Sequence, residues 1–175
     1  MSEERNNDQR VWDVYDAYRT ARLNVRYYEA QLKKLRRVNL WMEFLLAVSA
    51  SSGVAGLWFL ETAIGGYAWK VLGILVAFLA VLKPLLKLTA KIQAKSEILT
   101  DYRSLDHDFK KIIISISQYK KYDEKLRNQF IVLLDRTGEI IKKYTDEHIN
   151  QKLRKRCTQI VNTELPVSNF YIPEE

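Results

Sequence analysis

The side chains able to do chemistry are few and scattered along this chain. Asp106-His107-Asp108 has the composition of a metal cluster. On a helix, however, consecutive side chains point about 100° apart, so the three do not converge and read as a solvated face. Cys157 follows Arg154-Lys155-Arg156, a basic setting that favours the thiolate. No base partner is placed beside it, so it reads as inert, or at most as a site of modification. A single cysteine forms no intramolecular disulfide and offers no zinc spacing, which suits a segment facing the cytoplasm. No serine lies in a nucleophile elbow. The pair Gly65-Gly66 is no phosphate cradle, since no strand precedes it and no Gly-Lys-Thr follows. No catalytic residue, metal or cofactor is expected, and the chain does not read as an enzyme.

Three other features remain. The stretch from Ala47 through Ser49, Ser51, Ser52 and Gly53 to Gly56 is small and polar inside an apolar run. Its fourfold spacings (Ser49 to Gly53, Ser52 to Gly56) permit close helix contact, and its hydroxyls would equally suit the lining of a pore. Packing and lining can use opposite faces of one helix. Glu43 is an acid one turn inside the same run, where an ionisable group is costly and tends to be functional. Copies of it in an oligomer would form a cation-favouring ring; alternatively it snorkels, or pairs with Arg36, Arg37 or Lys83. Lastly, Lys142-Lys143-Tyr144 and Lys152, Arg154, Lys155 and Arg156 form a basic surface. It reads either as attraction to anionic lipid or as a phosphate site for a nucleotide or oligonucleotide, with Tyr144 to stack on the base. Duplex DNA is not expected as a partner, because no recognition-helix or finger motif is present.

The distribution of charge shows which elements carry these groups. Residues 1–39 have net charge +3 and residues 83–175 have +5, whereas residues 40–82 hold only Glu43, Glu61 and Lys70. A nearly charge-free middle between charged flanks is the pattern of a membrane insert. The run 40–60 has the length of about 20 residues that a spanning helix needs, and a second apolar run covers 62–82. Allowing residues 61–66 for a tight external turn places the second span at 67–84. Lys33, Lys34, Arg36 and Arg37 precede the hairpin and Lys83, Lys87, Lys91 and Lys95 follow it, so both flanks are expected in the cytoplasm. Trp41, Trp58, Tyr67 and Trp69 fall near the expected interfaces.

The flanks read as helices. Val11, Val14, Tyr18, Ala21, Val25, Tyr28, Leu32 and Leu35 follow strict 3-4 steps, predicting a long amphipathic helix through residues 1–39 that runs directly into the first span. Pro84 kinks or ends the second span's helix. Leu85, Leu88 and Ile92 start a seam whose phase shifts near Lys95. A further seam then steps through Ile98, Tyr102, Leu105, Phe109, Ile112, Ile116 and Tyr119. Such seams need partners: the first helix packs antiparallel on the post-membrane helix of its own chain, or on another subunit. Asp123 reads as the N-cap of a helix through Leu126, Phe130, Leu133, Ile140 and Tyr144, which Gly138 bends or ends. A basic helix over about 147–162 completes the helical region 85–163, and 164–175 reads as an extended tail. No strand is expected. The fold class is all-α: a two-helix transmembrane hairpin, a long N-terminal helix and a C-terminal helical bundle.

The combination of Tyr18-Arg19-Thr20-Ala21-Arg22 and Arg26-Tyr27-Tyr28, leading through Asn39 into a tight two-span hairpin and then a long helix bearing Tyr102, resembles the SLATT family of bacterial two-transmembrane effectors. The likeness covers residues 10–160 and rests on architecture. It implies a pore-forming effector of anti-phage defence in the bacterial inner membrane. The effector would be gated by a nucleotide or oligonucleotide from a separate nucleotidyltransferase, with depolarisation and growth arrest on opening. Two spans cannot enclose a water-filled path, so transport requires a homo-oligomer, taken here as a tetramer in the lipid bilayer. The competing expectation is a non-conducting membrane-anchored scaffold or nucleotide sensor that recruits a partner.

Overall fold

The computed structural model describes residues 2–59, 63–144 and 149–172, with side chains except at 2–9, 49–59, 63–70 and 72. It is all-helical, and no strand occurs among the described residues. Helix α1 spans Ser2–Phe59, α2 Ala63–Leu86, α3 Leu88–Tyr119, α4 Glu124–Lys143 and α5 Gln151–Glu164, followed by a 3-10 turn at Val167–Asn169. Two compact units are present. One comprises Met1–Ala30 with Ser96–Glu175, and the other Gln31–Lys95. The boundary at Lys95 falls where the apolar seam changes phase.

In the larger unit the two heptad seams are the core. Val11, Val14, Tyr18, Ala21, Val25 and Tyr28 of α1 are buried, as are Ile98, Tyr102, Leu105, Phe109, Ile112 and Ile116 of α3. Arg22 faces Asp106, Tyr28 stacks on Tyr102, and Glu29 meets Arg103 at 2.6 Å. Residue numbers rise along α1 as they fall along α3, so the helices are antiparallel partners within one chain. Tyr119, predicted to close the second seam, is instead 77% exposed. The reason is local: α3 stops there, and Lys120 turns the chain with φ of 51° before the seam can continue.

Helix α4 begins where Asp123 caps it, accepting a hydrogen bond from the Leu126 amide at 2.9 Å. It continues through Gly138 to Lys143, so that glycine does not end it. Phe130 packs on Phe109, Arg136 donates to Asp108 and Ser104 at 3.0 Å each, and Tyr144 donates to Asp101 at 2.8 Å. These pairings lay α4 antiparallel along α3. Helix α5 starts later than the basic composition predicts, because Asn150 is the residue that caps it, accepting from the Leu153 amide. The segment expected to be an extended tail is docked. After its 3-10 turn, Phe170 stacks on Tyr15 with ring centres 4.1 Å apart, and the Tyr15 hydroxyl donates to the Tyr171 carbonyl.

The smaller unit holds the second part of α1, all of α2 and the start of α3. Gly65-Gly66, read as the turn, lie inside α2. Helical pairing of their backbone groups outweighs the roughly 1 kcal/mol that each glycine costs in a helix. Pro84 sits near the end of α2. Three residues after it comes Lys87 with φ of 47°, and α2 and α3 meet there at a 42° bend. Among the described residues no single helix is long and apolar enough to cross a membrane; only the bent pair Gly73–Leu86 and Leu88–Tyr119, taken together, reaches that length and apolarity.

Candidate functional site

The pairing of α3 with α4 brings the C-terminal end of α4 beside Asp101 and Tyr102. The backbone amide of Asn150 donates to the Tyr27 hydroxyl at 3.0 Å, which sets the start of α5 against α1. The result is a cleft of about 390 Å³ walled by Tyr27, Tyr28, Tyr102, Ile141, Tyr144 and Arg154. Its aromatic walls are held in place. Tyr28 lies flat on Tyr102 (5.4 Å, 14°), Tyr27 meets Tyr28 edge-on (5.4 Å, 79°), and the Tyr144 hydroxyl is fixed by Asp101. Burial pushes the Tyr102 phenol above its ordinary value, so it is a neutral donor at any physiological pH.

Of the seven ligand-binding candidates, Tyr144 and Arg154 reach this cleft. Lys143 lies over the Tyr144 ring, 4.7 Å from its centre, and 3.4 Å from Asp101. Its ammonium is held above its usual value by Tyr144 first and Asp101 second. Lys142, Lys152, Lys155 and Arg156 are exposed and stand outside the cleft. Tyr27, Tyr28 and Tyr102 were not singled out as ligand residues. Their signal was present as the Arg26-Tyr27-Tyr28 run and the tyrosine within the α3 seam, but only the fold joins them to Tyr144. A larger groove of about 720 Å³ between α3 and α4 is walled by Lys111, Glu124, Lys125, Asn128 and neighbours, with no aromatic side chain. Its size does not make it the better site, since long solvated side chains fix no ligand orientation.

The Asp106-His107-Asp108 run divides, but not as a solvated face. His107 is exposed, Asp108 pairs with Arg136, and Asp106 is buried with its Oδ1 3.0 Å from Arg22 Nε. Those two atoms face each other without hydrogen-bond alignment, so their attraction is charge on charge. Burial raises the Asp106 carboxyl above its ordinary 3.8, with Arg22 pulling the other way. Burial opposes the charge on Arg22 too, yet the Tyr18 hydroxyl, accepting from its guanidinium at 3.0 Å, and Asp106 hold it protonated. Among the described residues no three His, Cys, Asp or Glu side chains converge on a metal position.

Cys157 is buried, and burial raises its thiol rather than favouring the thiolate its basic neighbours suggested; Arg156 and Arg26 only partly oppose that. Native protein is therefore expected to react with a thiol reagent at neutral pH at least about tenfold more slowly than denatured protein, given that the thiolate is the nucleophile. As Cys157 is the one cysteine, the colour released by a disulfide reagent reads it directly.

In the smaller unit, Glu43 is half-exposed and accepts from Asn39 at 3.0 Å and from Lys83 at 3.4 Å. Of the pairings considered for this acid, the one with Lys83 is the one present. Ala47 is exposed. Ser49, Ser51, Ser52, Gly53 and Gly56 lie within α1, and their side chains fall outside the described residues. Compared with protein-family models, with curated proteins and with solved structures, the chain has no match.

Proposed function

We propose that this chain is a subunit of an oligomeric ion channel in the bacterial inner membrane, a SLATT-type effector of anti-phage defence. Its spans are residues 40–60 and 67–84, and both helical flanks lie in the cytoplasm. A nucleotide or oligonucleotide made by a separate nucleotidyltransferase acts on the helices of the larger unit, and the open pore depolarises the cell and arrests growth. A tetramer is the assembly assumed.

One observation carries the membrane reading. Between residues 40 and 85, ten large apolar side chains stand exposed, among them Leu40, Trp41 and Phe44 of α1 and Ile74, Phe78 and Val81 of α2. Leaving that surface in water costs on the order of 10 kcal/mol, which rivals the whole stability of a small domain. Lipid or further copies of the chain relieve that cost. The charged residues described there, Glu43 and Lys83, answer each other. The scaffold alternative, in which the heptad seams recruit a partner, is disfavoured because Val11, Val25, Tyr28 and Leu32 are already buried by the chain itself.

The test is ion flux from liposomes holding the purified protein, with and without nucleotides and short oligonucleotides. Ligand-dependent flux is the expected result, and its sign tells whether the ligand opens or shuts the pore. An intact oligomer that never conducts removes the channel and leaves the sensor.

A further inference from the structure

We infer that the smaller unit carries a collar of cations that binds anionic lipid headgroups, those of phosphatidylglycerol in particular, where the hairpin enters the membrane. The inference rests on the membrane reading and needs neither a pore nor a nucleotide.

The collar comes from two stretches that the fold brings level. Glu43 meets Lys83, and Asn39 lines one hollow with Lys87 and Leu88, so α1 runs antiparallel to the chain that leaves α2 for α3. Continued at 1.5 Å per residue, that register sets Lys33, Lys34, Arg36 and Arg37 beside the stretch holding Lys87, Lys91 and Lys95. Residues 31–39 and 83–95 hold four basic side chains each and no acid. Lys83 is answered by Glu43. Lys33, Lys34, Arg36, Arg37, Lys87 and Lys91 are exposed, and among the described residues none of them has a carboxylate in ion-pair range. The larger unit treats its cations differently: Arg22 faces Asp106, Arg26 Glu164, Arg103 Glu29 and Arg136 Asp108.

Position decides the partner. Exposed apolar side chains adjoin the collar, with Leu40, Trp41 and Phe44 on α1 and Phe78 and Val81 on α2. A water-soluble acidic partner would answer the cations and leave that apolar surface bare. An anionic leaflet satisfies both, and basic clusters of this size beside a spanning helix attract its headgroups.

One headgroup has a seat. The hollow of about 390 Å³ is walled by Asn39, Lys83, Lys87, Leu88 and Thr89. The first backbone donor of α3 is Lys91, bonded to the Lys87 carbonyl at 3.0 Å, so the amides of Leu88, Thr89 and Ala90 stand at the positive end of the helix without a helical acceptor. Asn39 Oδ1 is buried without a donor. Phosphatidylglycerol brings a charged phosphate for the lysines and amides, and hydroxyls to donate to that oxygen. Phosphatidylcholine has no net charge and no hydroxyl.

The experiment is electron spin resonance on the full-length protein in mixed vesicles of the two lipids, with a trace of either one spin-labelled on its acyl chain. The share of label slowed at the protein surface gives the relative affinity. Labelled phosphatidylglycerol is expected to associate at least about threefold more strongly than phosphatidylcholine, and high salt should remove most of that preference. Glutamine at all six unanswered positions should abolish it. Lys87→Gln with Lys91→Gln, which spares the core, should roughly halve it. Glutamine at Lys152, Lys155 and Arg156 of α5 should leave it unchanged, and glycerol phosphate in the buffer should not displace the labelled lipid. Equal association of both lipids with inserted protein overturns the collar and leaves the membrane reading standing. A preference that survives high salt or the Lys87/Lys91 double variant, that is lost with the α5 cations, or that yields to glycerol phosphate also overturns it. Protein that floats with no vesicle removes the membrane reading and the collar together, whereas lipid preference without ion flux keeps the collar and removes the channel.

Discussion

Arginine at both Ile74 and Phe78 is expected to drive the protein out of the alkali-resistant membrane fraction and to abolish liposome flux. Ile74 is 74% exposed and Phe78 62%, four residues apart on one face of α2. Neither substitution disturbs packing inside the unit, so the effect reads the surroundings of that face. Near the middle of a bilayer each arginine costs about 3 kcal/mol relative to the apolar side chain it replaces, so the pair shifts the partition by roughly four orders of magnitude. Leucine at the same two positions should insert and conduct like wild type. If the arginine variant remains membrane-bound and conducts, the α2 face is not in lipid, and the span assignment for 67–84 fails.

The second large effect concerns Arg22 and Asp106. Truncating either one alone leaves the other charge half-stranded between α1 and α3, and is expected to cost about 2–4 kcal/mol in denaturant unfolding. Replacing both, as Arg22→Met with Asp106→Leu, should cost far less than the sum, because two facing apolar side chains need no solvation. Additive losses in that cycle would show that the pair is not coupled. A pH series gives an independent reading. The folded carboxyl titrates above its ordinary value of 3.8, so the folded state binds the proton more tightly than the unfolded chain. Protonation therefore favours folding. The contribution is fully present below the unfolded value, and is lost as the pH rises through the folded one. Asp106→Asn should remove that component and flatten the acid limb of the stability profile, and an unchanged limb would count against it.

How far the molecule can be read from its residues differs from place to place. The seams from Val11 to Leu32 and from Ile98 to Ile116 are legible because a 3-4 repeat is a local property of the chain, and they do form the core. Tyr119 breaks the rule because helix termination at Lys120, a lysine in left-handed backbone, carries no compositional signal. Asp106 was misread for lack of its partner: alone it is one polar residue beside Leu105, yet Arg22 sits in the equivalent place beside Ala21. Opposite charges flanking facing seams are the usual pairing of coiled-coil helices, and that comparison across two helices would have found it. Cys157 was misread because charge neighbours along α5 are visible in sequence and burial by other elements is not. The cleft is the least legible part. Tyr144 and Arg154 were singled out for their charge context, but the three tyrosines that complete it come from 27, 28 and 102, and no local pattern links them.

The stacking of Phe170 on Tyr15 also sets the order of events during synthesis. The residues of the smaller unit, Gln31–Lys95, are contiguous and have all been made before α4 and α5 exist. Tyr15 must wait 156 residues for the carbonyl it donates to. Contacts so remote in sequence close late and slowly. The smaller unit is thus made in full while the seam of α1 still lacks most of α3 and the cleft has not formed. A chain interrupted between Lys95 and α5 has the whole of the smaller unit and no finished cleft, which separates the part proposed to conduct from the part proposed to control it.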